Sequence, residues 1–226
     1  MKKEFLFIQF IVFIFFLNCT VKEKPSYSYL ALGDSYTIGE SVNENDRWPV
    51  QLSKKLNAIG IAFSAPEIIA KTGWTTDELK TGIDNQILNY PYDWVSLMIG
   101  VNNQYRNRPI ENFKEEFETL IDLALSFNGN NKKRLFVLSI PDWGKMPFAK
   151  NRNQEQISRE IDDFNQVIYE ICALKEVLFI DITPLSRRVE NHPEWIGSDG
   201  LHPSGLQYTE WVNEILTHIE PLVADE

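Results

Sequence analysis

The chain has 226 residues, of which 43% are hydrophobic and 24% charged, a composition that buries one sizeable core in a single domain. Its formal net charge is −10, with acids and bases interspersed and no basic run, which argues against nucleic acid as a partner.

Residues 1–18 read as an export signal outside the fold. Lys2 and Lys3 give a short positive start, and Phe5 to Leu17 form an apolar run too short to span a bilayer comfortably. Cys19, directly after that run, resembles the cleavage site of a bacterial lipoprotein, where the thiol is diacylated and the acyl chains hold the protein on the membrane. A disulfide to Cys172 is the rival reading, but Cys172 falls in an apolar helical stripe and suits a small core residue. Residues 19–26 read as a polar tether and 27–226 as the folded domain.

From Tyr27 onward, apolar runs of strand length alternate with segments of helical period, which predicts a parallel sheet covered on both faces. Five strands are expected, over Tyr29 to Leu32, Glu67 to Lys71, Trp94 to Ile99, Leu135 to Ile140 and Val177 to Ile182. Between them, Pro49 opens a helix with Leu52, Leu56 and Ile59 on one face, and Thr75 with Glu78 forms a capping box before Leu79, Ile83 and Ile87. Phe113, Phe117, Leu120, Ile121 and Ala124 make a third stripe, and Ile157, Ile161, Phe164, Ile168 and Ile171 a fourth. The last helix opens at Ser204 and Gln207 and buries Val212, Ile215, Leu216 and Ile219.

In an open parallel sheet, ligands bind where the connections leave the carboxyl ends of the strands. That edge collects Gly33-Asp34-Ser35 after the first strand, Gly73-Trp74 after the second, Gly100-Val101-Asn102-Asn103 after the third, and Asp199-Gly200-Leu201-His202 beyond the fifth. A serine hydroxyl attacks only when a base takes its proton, so Ser35 needs a histidine. His218 lies off its helix's apolar stripe and His192 falls in a loop, whereas His202 follows Asp199 by three residues, which lets the carboxylate fold back onto one ring nitrogen. The resulting oxyanion has three candidate donors: the backbone N–H groups of Ser35 and Gly73 and the side-chain amide of Asn102. Gly-x-Ser-x-Gly is absent around Ser35, so an α/β-hydrolase assignment does not follow.

Gly33-Asp34-Ser35, the isolated Gly73, Gly100-Val101-Asn102 and Asp199-x-x-His202, in that order, resemble the four blocks of the SGNH (GDSL-type) esterases and lipases. The resemblance runs from about Tyr27 to the end. It implies a flavodoxin-like sandwich with sheet order 2-1-3-4-5 and carboxylic ester hydrolysis through an acyl-enzyme, without metal or cofactor. By position it makes Ser35 the nucleophile, Gly73 and Asn102 oxyanion donors, His202 the base and Asp199 its orienter. The family's third block usually continues with Asp, where this chain has Asn103; the adjacent amide is thus an alternative donor, although the position relative to Gly100 favours Asn102.

Small acyl esters of carbohydrates and lysophospholipids or thioesters both fit as substrates. Tyr36, Trp74, Tyr105 and Trp143 flank the site loops, either as an apolar or sugar-stacking wall or as loop packing. Asp142 reads as a substrate contact or a turn residue, and Asp34 as a shaper of its loop. Glu40, Glu44 and Asp46 disfavour anionic substrates. Two readings from other classes stand beside the esterase: a surface binding module of the same fold, and a metal-dependent phosphodiesterase using Asp34, Asp199 and His202.

Overall fold

The structure is a computed structural model that describes residues 26–88 and 90–224. The expected export signal, Cys19 and nearly all of the tether lie outside the described residues. Five strands, β1 (Tyr29–Gly33), β2 (Glu67–Ala70), β3 (Trp94–Met98), β4 (Leu135–Leu138) and β5 (Leu178–Ile180), pair in parallel in the order β2-β1-β3-β4-β5. This is the expected flavodoxin-like order, with strand ends within two residues of the expectation.

The helices are α1 (Ser35–Ile38), α2 (Trp48–Ala58), α3 (Thr76–Asp84), α4 (Val101–Tyr105), α5 (Ile110–Phe127), α6 (Gln154–Lys175), α7 (Thr183–Ser186) and α8 (Gly205–Ala224). On one face of the sheet α2 packs on α8, while α3, α5 and α6 run side by side over the other. β1, β3 and β4 are buried at every position, because parallel strands covered on both faces have no solvent side. Cys172 is buried in α6, where burial pushes its thiol up to about 12, consistent with a core residue.

Two apolar positions depart from the expected stripes. Ile59 is 51% exposed just past the end of α2, and Ile87 is 96% exposed because α3 stops at Asp84. A stripe extrapolated past a helix end leaves the core with the chain. The capping box itself is present, with the Thr75 N–H donating to Glu78 at 3.0 Å. The three shortest helices, α1, α4 and α7, carry no apolar period to announce them, yet α1 and α4 are the ones that start at the site.

Candidate active site

β1 runs straight into α1. Gly33 makes this turn possible, since a Cβ there would stand 2.6 Å from the Met98 carbonyl of β3. Asp34 caps the short helix by accepting the Tyr36 N–H at 3.0 Å, which leaves Ser35 as its first residue at the carboxyl end of a central strand. From the neighbouring strand, α4 brings Asn102 alongside. The Asn102 amide Nδ2 donates to the Trp74 carbonyl at 3.0 Å and to Asp34 Oδ2 at 3.3 Å. The Trp74 carbonyl only accepts, so it fixes which end of the amide is nitrogen.

Asn103 turns the other way. It is fully buried, its Oδ1 accepts from the Thr76 N–H at 3.1 Å and its Nδ2 donates to Thr76 Oγ1 at 2.6 Å. Its amide holds the start of α3 and is not available to the pocket. This separates the two adjacent asparagines and gives Asn103 a structural task.

The last two residues stand in a loop. Asp199 Oδ1 accepts the backbone N–H groups of Leu201 and His202, each at 2.9 Å, and Oδ2 lies 2.6 Å from His202 Nδ1. A carboxylate can only accept, so Nδ1 carries the proton and Nε2 keeps the lone pair. Burial pulls the Asp199 carboxyl upward, but the His202 ring and backbone, the Ser41 hydroxyl and the Leu201 N–H together hold it well below the ordinary carboxylate range. The Tyr36 ring sits 5.1 Å from the His202 ring and closes its other side.

Ser35, Asn102 and His202 line one pocket of about 180 Å3, completed by Tyr36, Val101, Tyr105, Trp143, Phe148 and Leu201. Of the aromatic residues considered from sequence, Tyr36, Tyr105 and Trp143 belong to its wall. Trp74 does not, and lies instead against Gly82 of α3. Gly73 is not among the lining residues either. It takes a left-handed φ of 85° and adjoins Trp74, whose carbonyl holds Asn102. Asp142 is a turn residue: it is fully buried, accepts from the Gly144 N–H and pairs with Arg187, each at 2.9 Å. His192 pairs with Glu194 and His218 with Glu214, both outside this pocket.

Sequence reasoning left three participants unassigned. Asp34 joins the Ser35 helix to Asn102, and its burial raises its carboxyl to about 7 against the pull of the Tyr36 N–H and the Asn102 amide. Ser41 donates its hydroxyl to Asp199 from a left-handed conformation with φ 68°, across 158 residues of sequence. Phe148 comes from a short 3-10 turn between β4 and α6, signalled only by an apolar run, Met146-Pro147-Phe148-Ala149, between Lys145 and Lys150. Among the described residues no group of three His, Cys, Asp or Glu side chains could hold a metal ion. The carboxylates of the phosphodiesterase reading are already engaged, Asp34 with Tyr36 and Asn102 and Asp199 with His202.

A family model described as GDSL-like lipase/acylhydrolase matches residues 31–209. An acetylxylan esterase from Geobacillus stearothermophilus is 27% identical, over 74% of this chain and 84% of that protein. The crystal structure of that organism's acetylxylan esterase Axe2 superposes with a TM-score of 0.66 at 18% identity, covering 85% of this chain and 94% of that one. A lipase/acylhydrolase from Enterococcus faecalis gives 0.67 at 22% identity, covering 86% and 96%. Identities this low in the structural matches speak for the fold alone.

Proposed function

The chain belongs to the GDSL-like lipase/acylhydrolase family and is a carboxylic ester hydrolase, and on that premise we propose that Ser35 is its nucleophile, with His202 as base and Asp199 as orienter. The observation that carries this reading is the 2.6 Å contact between Asp199 and a histidine that lines one pocket with Ser35. Ser35 Oγ attacks the ester carbonyl carbon while His202 Nε2 takes the hydroxyl proton. The oxyanion is met by the backbone N–H of Ser35 and by Asn102 Nδ2, both residues of the pocket wall, and the resemblance to the family adds the Gly73 N–H as a third donor although Gly73 does not line the pocket. The 3.3 Å contact to Asp34 is the weaker of the two that Asn102 makes, and it is the one that exchanges for the oxyanion. Collapse breaks the ester bond, and His202 returns its proton to the leaving alcohol. Water then attacks the acyl carbon, giving a proton to His202, and collapse breaks the acyl–Oγ bond, releasing the acid as His202 returns that proton to Ser35 Oγ.

The substrate we assign is a short-acyl, foremost acetyl, ester of a carbohydrate. The small pocket and the acetylxylan esterase relative support this choice over lysophospholipids. A panel of p-nitrophenyl and acetylated-sugar esters, run on wild type and Ser35→Ala, tests both levels. Wild type turns over acetate fastest and Ser35→Ala is inactive with its fold intact; retained activity in the variant sinks the assignment. Stoichiometric labelling of wild type by a serine-directed phosphonate separates an enzyme from a binding module.

We further assign the protein to the cell envelope, exported by residues 1–18 and anchored by acylation of Cys19. The support is the sequence around that cysteine alone. Incorporation of a labelled fatty acid by wild type and not by Cys19→Ala is the outcome that upholds it, and a soluble, unlabelled wild-type protein overturns it.

A further inference from the structure

One wall of the pocket consists of three aromatic rings from two separate segments. Tyr105 ends α4, whereas Trp143 and Phe148 belong to the connection between β4 and α6. Trp143 is buried and fixed, since its Nε1 donates to Gln104 Oε1 at 2.7 Å and Gln104 donates in turn to Glu160 at 2.7 Å. Tyr105 and Phe148 are different, being 40% and 43% exposed at the rim. Their ring centroids stand 5.3 and 6.1 Å from that of Trp143 and 6.4 Å from each other. Rings this exposed would ordinarily change rotamer freely on a fast timescale.

Arg152 lies against all three. Its guanidinium carbon stands 5.1 Å from the Tyr105 centroid, 5.3 Å from that of Trp143 and 5.4 Å from that of Phe148, and its Nη2 donates to the Tyr105 hydroxyl at 3.1 Å. Each ring face attracts the cation, and the planar group reaches several at once where an ammonium would not. Among the described residues no carboxylate forms an ion pair with Arg152, so nothing competes for it. The pocket it backs holds about 180 Å3, well under the roughly 300–1,000 Å3 of sites that take a drug-sized ligand.

We propose that Arg152 determines acyl-chain specificity: by clamping Tyr105 and Phe148 against Trp143 it closes the end of the pocket and excludes long acyl chains. Without the clamp, the two exposed rings swing outward and the pocket lengthens along the same wall. The proposal rests on the reading of Ser35 as the nucleophile of a short-acyl esterase.

The experiment is a series of p-nitrophenyl acetate, butyrate and octanoate hydrolysed by wild type, Arg152→Ala, Arg152→Lys and Phe148→Ala, with melting curves recorded alongside. The readout is the ratio of kcat/KM for octanoate over acetate. It rises roughly tenfold or more in Arg152→Ala, the discrimination a methylene or two carries in an apolar pocket. Phe148→Ala opens the same wall from its other member and moves the ratio in the same direction, while Arg152→Lys falls between. A loss of activity equal for all three esters marks Arg152 as merely structural and overturns the clamp, as do superimposable chain-length profiles; both leave the esterase reading standing. If wild type hydrolyses none of the esters, the nucleophile reading fails and takes the clamp with it.

Discussion

The two halves of the site are held in unlike ways. Ser35 and Asn102 sit at the carboxyl ends of β1 and β3, adjacent strands buried along their whole length, and their cross-links run through Asp34 and Trp74. His202 and Asp199 sit in a loop closed by two backbone bonds at the Ile196–Pro203 bridge, Gly197 N–H to His202 C=O and Ser204 N–H to Trp195 C=O, each at 2.7 Å, with a turn bond from Gly200 N–H to Gly197 C=O and one outside bond from Phe148 N–H to Gly200 C=O, each at 3.0 Å. His202 is buried, but its orienting partner Asp199 is exposed. The nucleophile half is therefore part of the core, where position and stability are the same quantity. On the loop half, the geometry rests on a few local hydrogen bonds that contribute little to the fold. Substitutions on the loop should cost activity at constant stability, and substitutions under the nucleophile should move both.

The largest effect expected on the loop side comes from Asp199→Asn. The amide presents a donor to Nδ1, favours the wrong tautomer and cannot stabilise the imidazolium, so kcat/KM for p-nitrophenyl acetate should fall by roughly 10³ to 10⁴. The melting temperature should stay within a degree or two of wild type, and a loss below tenfold would place the orienter elsewhere. On the sheet side, the adjacent asparagines divide the comparison within two residues. Asn102→Ala should lower kcat by roughly 10² to 10³. Asn103→Ala leaves the Thr76 N–H buried without its partner and should cost about 1–3 kcal/mol in chemical denaturation, with a much smaller effect on kcat. The reverse pattern would exchange their roles.

A smaller effect probes how far the loop half extends. Ser41 is exposed, so the bond it donates to Asp199 is worth at most about a tenfold change, or 1.4 kcal/mol. Ser41→Ala should lower kcat severalfold without shifting the melting curve. Ser41→Gly removes the same hydroxyl but relieves the left-handed backbone, so it should melt higher while losing the same activity. Equal activity in both variants and wild type would detach Ser41 from the site.

Both halves were legible in sequence to the extent that their constraints are local or periodic. The buried strands read as apolar runs, and Asp199-x-x-His202 read as a pair because three residues of loop suffice to close it. Asn102 could be preferred to Asn103 only by its position relative to Gly100, since the side-chain directions that separate them depend on where α3 begins. Ser41 and Arg152 were beyond reach for a related reason. Ser41 meets Asp199 and Arg152 meets Tyr105 from far away in the chain, and although Phe148 lies only four residues from Arg152, no local pattern records that the three rings gather there. Ile59 and Ile87 show the converse error, where a period continued past the end of its helix.

The nucleophile half makes one prediction that the loop half cannot. Asp34 is fully buried and its carboxyl is raised to about 7, against an ordinary value of 3.8. A raised carboxyl means that between those values the folded protein holds a proton which the unfolded chain has released. Stability then falls as pH rises through that window, and the contribution is level below about 4 and above about 7. The shift sets a ceiling of about 4 kcal/mol. Asp34→Asn abolishes the titration but keeps the shape. Its donors face those of Asn102, which subtracts a roughly constant amount at every pH. The difference between the two proteins isolates the carboxyl, because every other titrating group is common to both. Denaturant unfolding at pH 5 and pH 8 should therefore show the variant gaining on wild type by a kcal/mol or more at the higher pH, whatever its offset at the lower. The same substitution in the loop half, Asp199→Asn, should show no change in offset between pH 5 and pH 8: that carboxyl is held low and stands largely in water, so the small stability it contributes is level above its ordinary value and is lost only as pH falls below it. An Asp34→Asn offset that is identical at the two pH values would mean that the carboxylate is ionised throughout, and that the nucleophile half is no more tightly coupled to the core than the loop.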